Sequence, residues 1–165
     1  MRVRDMVPKK FKQNLTMAKK YLSVHKTTLY NKLIGVLTKQ GNKTAAVKII
    51  NSAFLKVSQN TTLSMNKILL KLFLKLNSFV EVKKVRVKRS FHLVPFQITL
   101  KRRSYLIIKW LMQVVKTDTR NISISDKLAF EIEQTLKSEN SKLLSLQTLN
   151  TTLALANRSN IHYRW

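Results

Sequence analysis

Positively charged side chains at close spacing are the most pointed chemical feature of this sequence. Lys83, Lys84, Arg86, Lys88 and Arg89 crowd one short stretch, and Lys101-Arg102-Arg103 follows it. Arginine offers a planar fork of donors and lysine a mobile point charge, and both suit phosphate oxygens. Bond-breaking chemistry has far less to draw on. His25, His92 and His162 are far apart, and none falls in a metal-ligand spacing. Glu131 and Glu133 lie two apart in a helical stretch, so they point in different directions. With no cysteine there is no thiol nucleophile, zinc knuckle or disulfide framework. Gly35 and Gly41 are the only glycines, too few for a phosphate-cradling nucleotide loop. The chain is therefore expected to bind rather than catalyse, with no cofactor and no metal.

The charge balance says what it binds. The 165 residues carry 32 Lys and Arg against 7 Asp and Glu, a formal net charge of +25. Such charge opposes compaction unless a polyanion neutralises it. DNA, RNA and an anionic membrane all qualify. Hydrophobic residues make up 44% of the chain, enough for a core in a single domain. Residues 6–80 hold fourteen lysines, no arginine and no acid, and residues 81–116 hold ten basic residues and one acid, Glu81. Residues 117–165 are nearly balanced, with six basic and five acidic. Most of the earlier cations must therefore face solvent or phosphate. No run of about 18 uncharged apolar residues exists, so no spanning helix is expected. No apolar core follows Arg2 and Arg4, so the start does not read as a secretory signal.

The elements that must position these cations follow from periodicity. Residues 1–26 lack a clean period and read as a basic N-terminal arm, or equally as a targeting segment. Residues 27–165 read as one mainly α domain, a bundle of about six helices with a protruding β-hairpin between the third and fourth. The first helix is expected from Thr27 or Thr28 to Lys39, with Leu29, Leu33, Ile34 and Leu37 on one face and Gly41 as its C-terminal cap. The second is expected over 43–58, burying Val47, Ile50, Phe54 and Val57, with a break at Asn60–Thr62. The third, about 62–77, carries Lys67, Lys71 and Lys75 as a stripe beside Ile68, Leu69, Leu72, Phe73 and Leu76. That stripe is either a solvated face or a phosphate contact.

The period then changes to two. Val80, Val82, Val85 and Val87 interleave with cations, and Val94, Phe96, Ile98 and Leu100 alternate after Lys88–Ser90, which predicts a hairpin over about 80–100. The phase slip at Lys83–Lys84 predicts a bulge, and Pro95 is tolerable because a two-stranded ribbon has only edges. His92 and Phe91 could add hydrogen bonding or stacking to its charge. Helix four is expected from Ser104, as its cap, to about Lys116, which sets Lys101-Arg102-Arg103 at its start, against the macrodipole unless phosphates sit nearby. Its Ile107, Trp110, Leu111 and Val114 point inward, although Trp110 could instead be a stacking platform. Helices over 125–137 and 142–156 follow, the last packing through Leu146, Leu149 and Leu153. The terminal His162-Tyr163-Arg164-Trp165 could clamp RNA or simply pin the last helix.

Several of these residues resemble a known family. Val80-Glu81-Val82-Lys83, Val94-Pro95, Arg102-Arg103 and Trp110 resemble the hairpin-to-helix-four region of bacterial-type small-subunit ribosomal protein seven. Ala156-Asn157-Arg158 with the terminal His162-Tyr163-Arg164-Trp165 is similar to that family's C-terminus. Gly41 with Lys43-Thr44-Ala45 resembles its first interhelical turn, and Leu128-Ala129-Phe130-Glu131-Ile132 its helix five. The match covers roughly 28–165. The resemblance implies a structural constituent of the small ribosomal subunit that binds the 3′ major (head) domain of its rRNA and nucleates head assembly. It implies a hairpin near the exit-site tRNA and mRNA path, with platform protein eleven and head proteins nine and thirteen as neighbours. By motif match it carries RNA contact to Lys43, Lys83, Arg102, Arg103, Tyr163 and Arg164. Charge adds Lys84, Arg86, Lys88, Arg89 and Lys101.

Departures are visible too. Lys88-Arg89-Ser90 stands where the family has glycine near the hairpin tip, and Ser145-Leu146-Gln147-Thr148 replaces its basic run before helix six. An abundance of Lys, Leu, Asn, Ser, Thr and Ile with little Gly, Ala or Pro fits an AT-rich coding sequence. Together with an ending that resembles mitochondrial members, this points to a mitochondrial ribosome ahead of a plastid or bacterial one. Two rivals remain from charge alone. One is a nucleoid-type DNA-binding protein; the other is a membrane-active basic protein using residues 63–79.

Overall fold

The computed structural model describes residues 29–137 and 141–164. The expected basic arm, the start of the first helix and Trp165 lie outside the described residues. Within them the order is α1 (29–37), α2 (Lys43–Thr61), α3 (Met65–Leu76), β1 (Val80–Val87), β2 (Ser90–Gln97), α4 (Leu100–Thr117), α5 (Ile124–Lys137), α6 (Lys142–Ala156) and a terminal 3-10 segment, Arg158–Tyr163. The mainly α fold with a hairpin inserted between the third and fourth helices is as expected.

The core forms where the helical stripes meet. Ile50 and Val57 of α2, Ile68 and Leu76 of α3, Ile107 of α4, and Leu128 and Ile132 of α5 are at most 1% exposed. Each such side chain contributes about 1.5–3 kcal/mol of burial. Trp110 joins this cluster, so it is a packing residue rather than a stacking platform. The apolar side of α3 is consumed in the same way, because Ile68, Leu69, Leu72, Phe73 and Leu76 are all buried. Leu74 stays exposed, but the apolar side that a membrane-lying helix would insert is turned into the bundle. No described helix is long and apolar enough to cross a membrane.

Local chemistry moves several boundaries. α1 ends at residue 37, short of Lys39, and Gly41 is not its immediate cap. Gln40 (φ 51°) and Gly41 (φ 76°) instead form a left-handed turn that leads to Asn42. Asn42 Oδ1 then caps α2 by accepting from the Ala45 amide at 3.1 Å. α2 runs through Asn60 and Thr61, and the chain reverses at Thr62, whose φ is 54°. α4 begins a full turn earlier than expected, at Leu100 with Thr99 as N-cap. Ser104, read as the cap, is buried inside the helix, where its hydroxyl donates to Leu100 O at 3.1 Å.

The hairpin is regular. Pairing runs unbroken from Val80↔Gln97 to Val87↔Ser90, so the bulge expected at Lys83–Lys84 is absent. The apolar positions change face there without an added residue: Val80 and Val82 share one face, Val85 and Val87 the other. A two-stranded ribbon can tolerate this because each face meets the body over only part of its length. β2 stops at Gln97, and Leu100 belongs to α4.

α6 also differs from expectation. Leu143 is fully buried, but Leu149 is 56% and Leu153 40% exposed. The helix packs on the bundle through Leu143, Leu144 and, as expected, Leu146, and beyond that it is held through polar groups. Asn150 Nδ2 donates to Val80 O at 2.7 Å, and Gln147 Nε2 to Asn77 O at 3.1 Å.

Candidate nucleic-acid interface

The hairpin and the first turn of α4 are one unit, because the strand root and helix start are tied by charge. Arg102 donates from Nε to Glu81 Oε2 at 2.9 Å and from Nη2 to Glu81 Oε1 at 2.6 Å. Those bonds hold the Glu81 carboxyl below the usual range, against the opposing effect of burial. The pair fixes where the ribbon leaves the bundle. Its cost to recognition is that Arg102 brings a neutralised guanidinium to the surface. Arg102 also lies 4.9 Å from the Tyr105 ring centroid.

Arg103 takes a different route. Its Nε donates to Ile98 O at 3.3 Å, and its guanidinium sits 4.2 Å from the centroid of Phe79, a ring 59% exposed. Its charge has no carboxylate partner among the described residues. Lys101 is exposed, and its carbonyl accepts from Lys32 Nζ of α1. Burial first, and then the Lys101 charge, lowers the Lys32 pKa. Lys32 is thus part of this cationic region, although its own sequence neighbourhood gives no sign of that. Lys109 is a second omission. It is exposed two turns beyond Arg102, and its charge is felt by Glu81. The exposed spacing Lys101, Tyr105, Lys109, Gln113 was available as a signal, because i, i+4 repeats mark one helix face.

Lys83, Lys84, Arg86, Lys88 and Arg89 are all exposed, but the register divides them. Alternation puts Lys84 and Arg86 on one face of the ribbon and Lys83 on the other, while Lys88 and Arg89 form the two-residue turn. Lys83 Nζ lies 5.4 Å from the Phe96 ring centroid. Arg86 Nε donates to Lys88 O at 3.3 Å.

The terminal segment covers the Lys83 face. Tyr163 stacks on His92 with centroids 4.7 Å apart. Arg164 Nε donates to Pro95 O at 2.7 Å, and Asn160 Nδ2 to Leu93 O at 3.1 Å. Tyr163 and Arg164 therefore pin the end of the chain to β2. Lys43, the first residue of α2, is exposed, with no acid in its turn.

The lysine stripe of α3 splits. Lys67 and Lys71 are exposed, but Lys75 Nζ donates to Thr135 O at 2.9 Å and Leu136 O at 3.1 Å. That cation satisfies carbonyls at the C-terminal end of α5.

The described acids are all engaged internally: Glu81 with Arg102, Asp126 with Lys56, Glu133 with Lys137, and Asp118 and Glu131 with Arg120. The hydrogen bonds from Arg120 lower the Asp118 pKa to about 2, whereas burial raises that of Glu131. Only four cations are neutralised in this way, and the rest of the excess remains on the surface. Among the described residues no cluster of His, Asp and Glu could hold a metal ion.

An all-α body, a cationic ribbon and acids spent on internal pairs define a structural, charge-presenting protein. The chain matches the profile of Ribosomal protein S7p/S5e over residues 6–158. It is 31% identical to small ribosomal subunit protein uS7 of Geobacter metallireducens over 134 residues, covering 81% of this chain and 85% of that one. It is 34% identical to the uS7 of Pelobacter propionicus over 134 residues, with the same coverage, and 30% identical to that of Wigglesworthia glossinidia brevipalpis over 141 residues, covering 83% and 86%. The chain belongs to the ribosomal protein S7 family, whose members are structural and non-enzymatic components of the small subunit.

Proposed function

We propose that this protein binds the 3′ major (head) domain of small-subunit rRNA and nucleates assembly of the subunit head. The observation that carries the reading is the disposition of charge on a rigid frame. Arg103, Lys101, Lys109 and Lys32 gather around the start of α4, and the exposed cations of the ribbon continue from it. Such an array neutralises successive phosphates and fixes register without reading sequence. Lys83, Lys84, Arg86, Lys88, Arg89, Lys101, Arg103 and, in α2, Lys43 are its direct contacts. Arg102, Tyr163 and Arg164 act partly by holding the ribbon in place.

The ribbon lies toward the exit-site tRNA and mRNA path. Proteins nine, thirteen and eleven of the subunit are the neighbours. Leu149 and Leu153 lie one turn apart on a helix with no charge after Lys142, which suits contact with protein more than with phosphate. The mitochondrial ribosome is the proposed location, and composition supports it: two glycines and two prolines in a chain rich in Lys, Leu, Asn and Ile.

Fractionation of ribosomes from the source organelle tests the assignment. The protein is expected to sediment with small subunits and to leave them only when their rRNA is digested or stripped by salt. Recovery with DNA or with membranes, away from small subunits, would overturn it.

A further inference from the structure

Phe91 is 69% exposed, the most open large apolar side chain among the described residues. Its surroundings are specific. Arg86 pairs directly across the ribbon from Phe91, and Lys84 pairs with Leu93. Alternation places all four side chains on one face. The Arg86 guanidinium lies 6.0 Å from the Phe91 centroid, and Lys84, Phe91, His92 and Leu93 line a concavity of about 420 Å³.

The rings of the opposite face are already engaged. His92 stacks on Tyr163, and Phe96 lies near both Lys83 and Arg164. Of the two rings near the tip, His92 is thus engaged within the protein. Phe91 keeps an open π-face, flanked by two cations without carboxylate partners among the described residues.

We propose that Phe91 is a stacking platform for an unpaired nucleobase of RNA, with Lys84 and Arg86 taking the phosphates on either side. A base within a duplex has its faces covered, so the ligand is a single-stranded or flipped-out nucleotide. Aromatic stacking between cations is tolerant of sequence, because every base has a π-face. The inference rests on the RNA-binding reading above and assigns to one ribbon face a contact that charge alone would not make.

The test uses the full chain with two probes of equal charge: a short single-stranded oligoadenylate, and the same sugar-phosphate strand without bases. The wild-type protein is expected to prefer the base-bearing strand by about five- to a hundredfold, the range of a single base stack. Phe91→Leu keeps apolar bulk at an exposed position; it should abolish the preference while leaving abasic-strand binding unchanged. Phe91→Trp should retain the preference. Equal binding of both strands by the wild type, or an undiminished preference in Phe91→Leu, would overturn the stacking site while leaving phosphate binding intact. Loss of salt-sensitive binding to either strand would instead overturn the RNA-binding reading itself.

Discussion

Arg102 illustrates how one side chain can serve two masters. Its fork grips Glu81, a carboxylate whose side chain is 12% exposed, and its flat face lies near Tyr105. Replacing it with alanine removes a surface cation and also strands a largely buried charge. Arg102→Ala is therefore expected to lower stability by roughly 1–2 kcal/mol, discounted from a buried pair because the arginine is itself partly exposed. Adding Glu81→Gln should restore most of that loss, since no charge is then left unpaired. Urea unfolding of the two variants checks this. Equal destabilisation in both would show that the pair does not organise the hairpin root. Arg103→Ala should act differently. It breaks only a carbonyl bond and the contact with exposed Phe79, so it should weaken RNA binding with little change in unfolding midpoint.

At the scale of elements, the hairpin shows a strain with a clear origin. The turn has two residues, and Lys88 takes the first with φ of 54°. Glycine is favoured in that position of a tight hairpin, because an L side chain crowds its own backbone there. Lys88→Gly is expected to raise stability by up to about 1 kcal/mol while removing one tip charge. A fall in the unfolding midpoint would contradict the account of the turn. The lysine persists despite its backbone cost, and the proposed phosphate contact gives that cost a use. The helices answer to similarly local rules. Lys75 was part of a plausible phosphate stripe on α3, yet nearby carbonyls of α5 claim it. Stripe periodicity identifies a face; it does not identify what that face meets.

For the whole molecule, periodicity was enough to read the helix count, the inserted hairpin and the inward residues of α4 and α5. Those features depend on local apolar spacing, which a linear chain displays directly. Boundaries set by capping competition were less legible. Ser104 is a good capping residue by type, but Thr99 lies earlier at the end of the ribbon, and the helix begins there. Pairwise outcomes across the fold were not legible at all. No local signal ties Arg102 to Glu81, brings Lys32 to Lys101, or sets Tyr163 on His92. Likewise Leu149 and Leu153 follow helical spacing, but α6 reaches the core only as far as Leu146. The candidate site was legible as a set of cations and not as a shape; the fold divides that set between two ribbon faces, a turn and a helix start.

The central claim is that this shape presents charge to the phosphates of small-subunit rRNA. Titration of the full chain against a transcript of the 3′ major domain across a salt series tests it most directly. The log of the association constant should fall linearly with the log of salt concentration, with each neutralised phosphate contributing about 0.7–0.9 to the slope. A steep slope, equivalent to several phosphates, is the predicted result. A flat response would contradict the account, because binding would then owe little to the charge that the fold arrays on its surface.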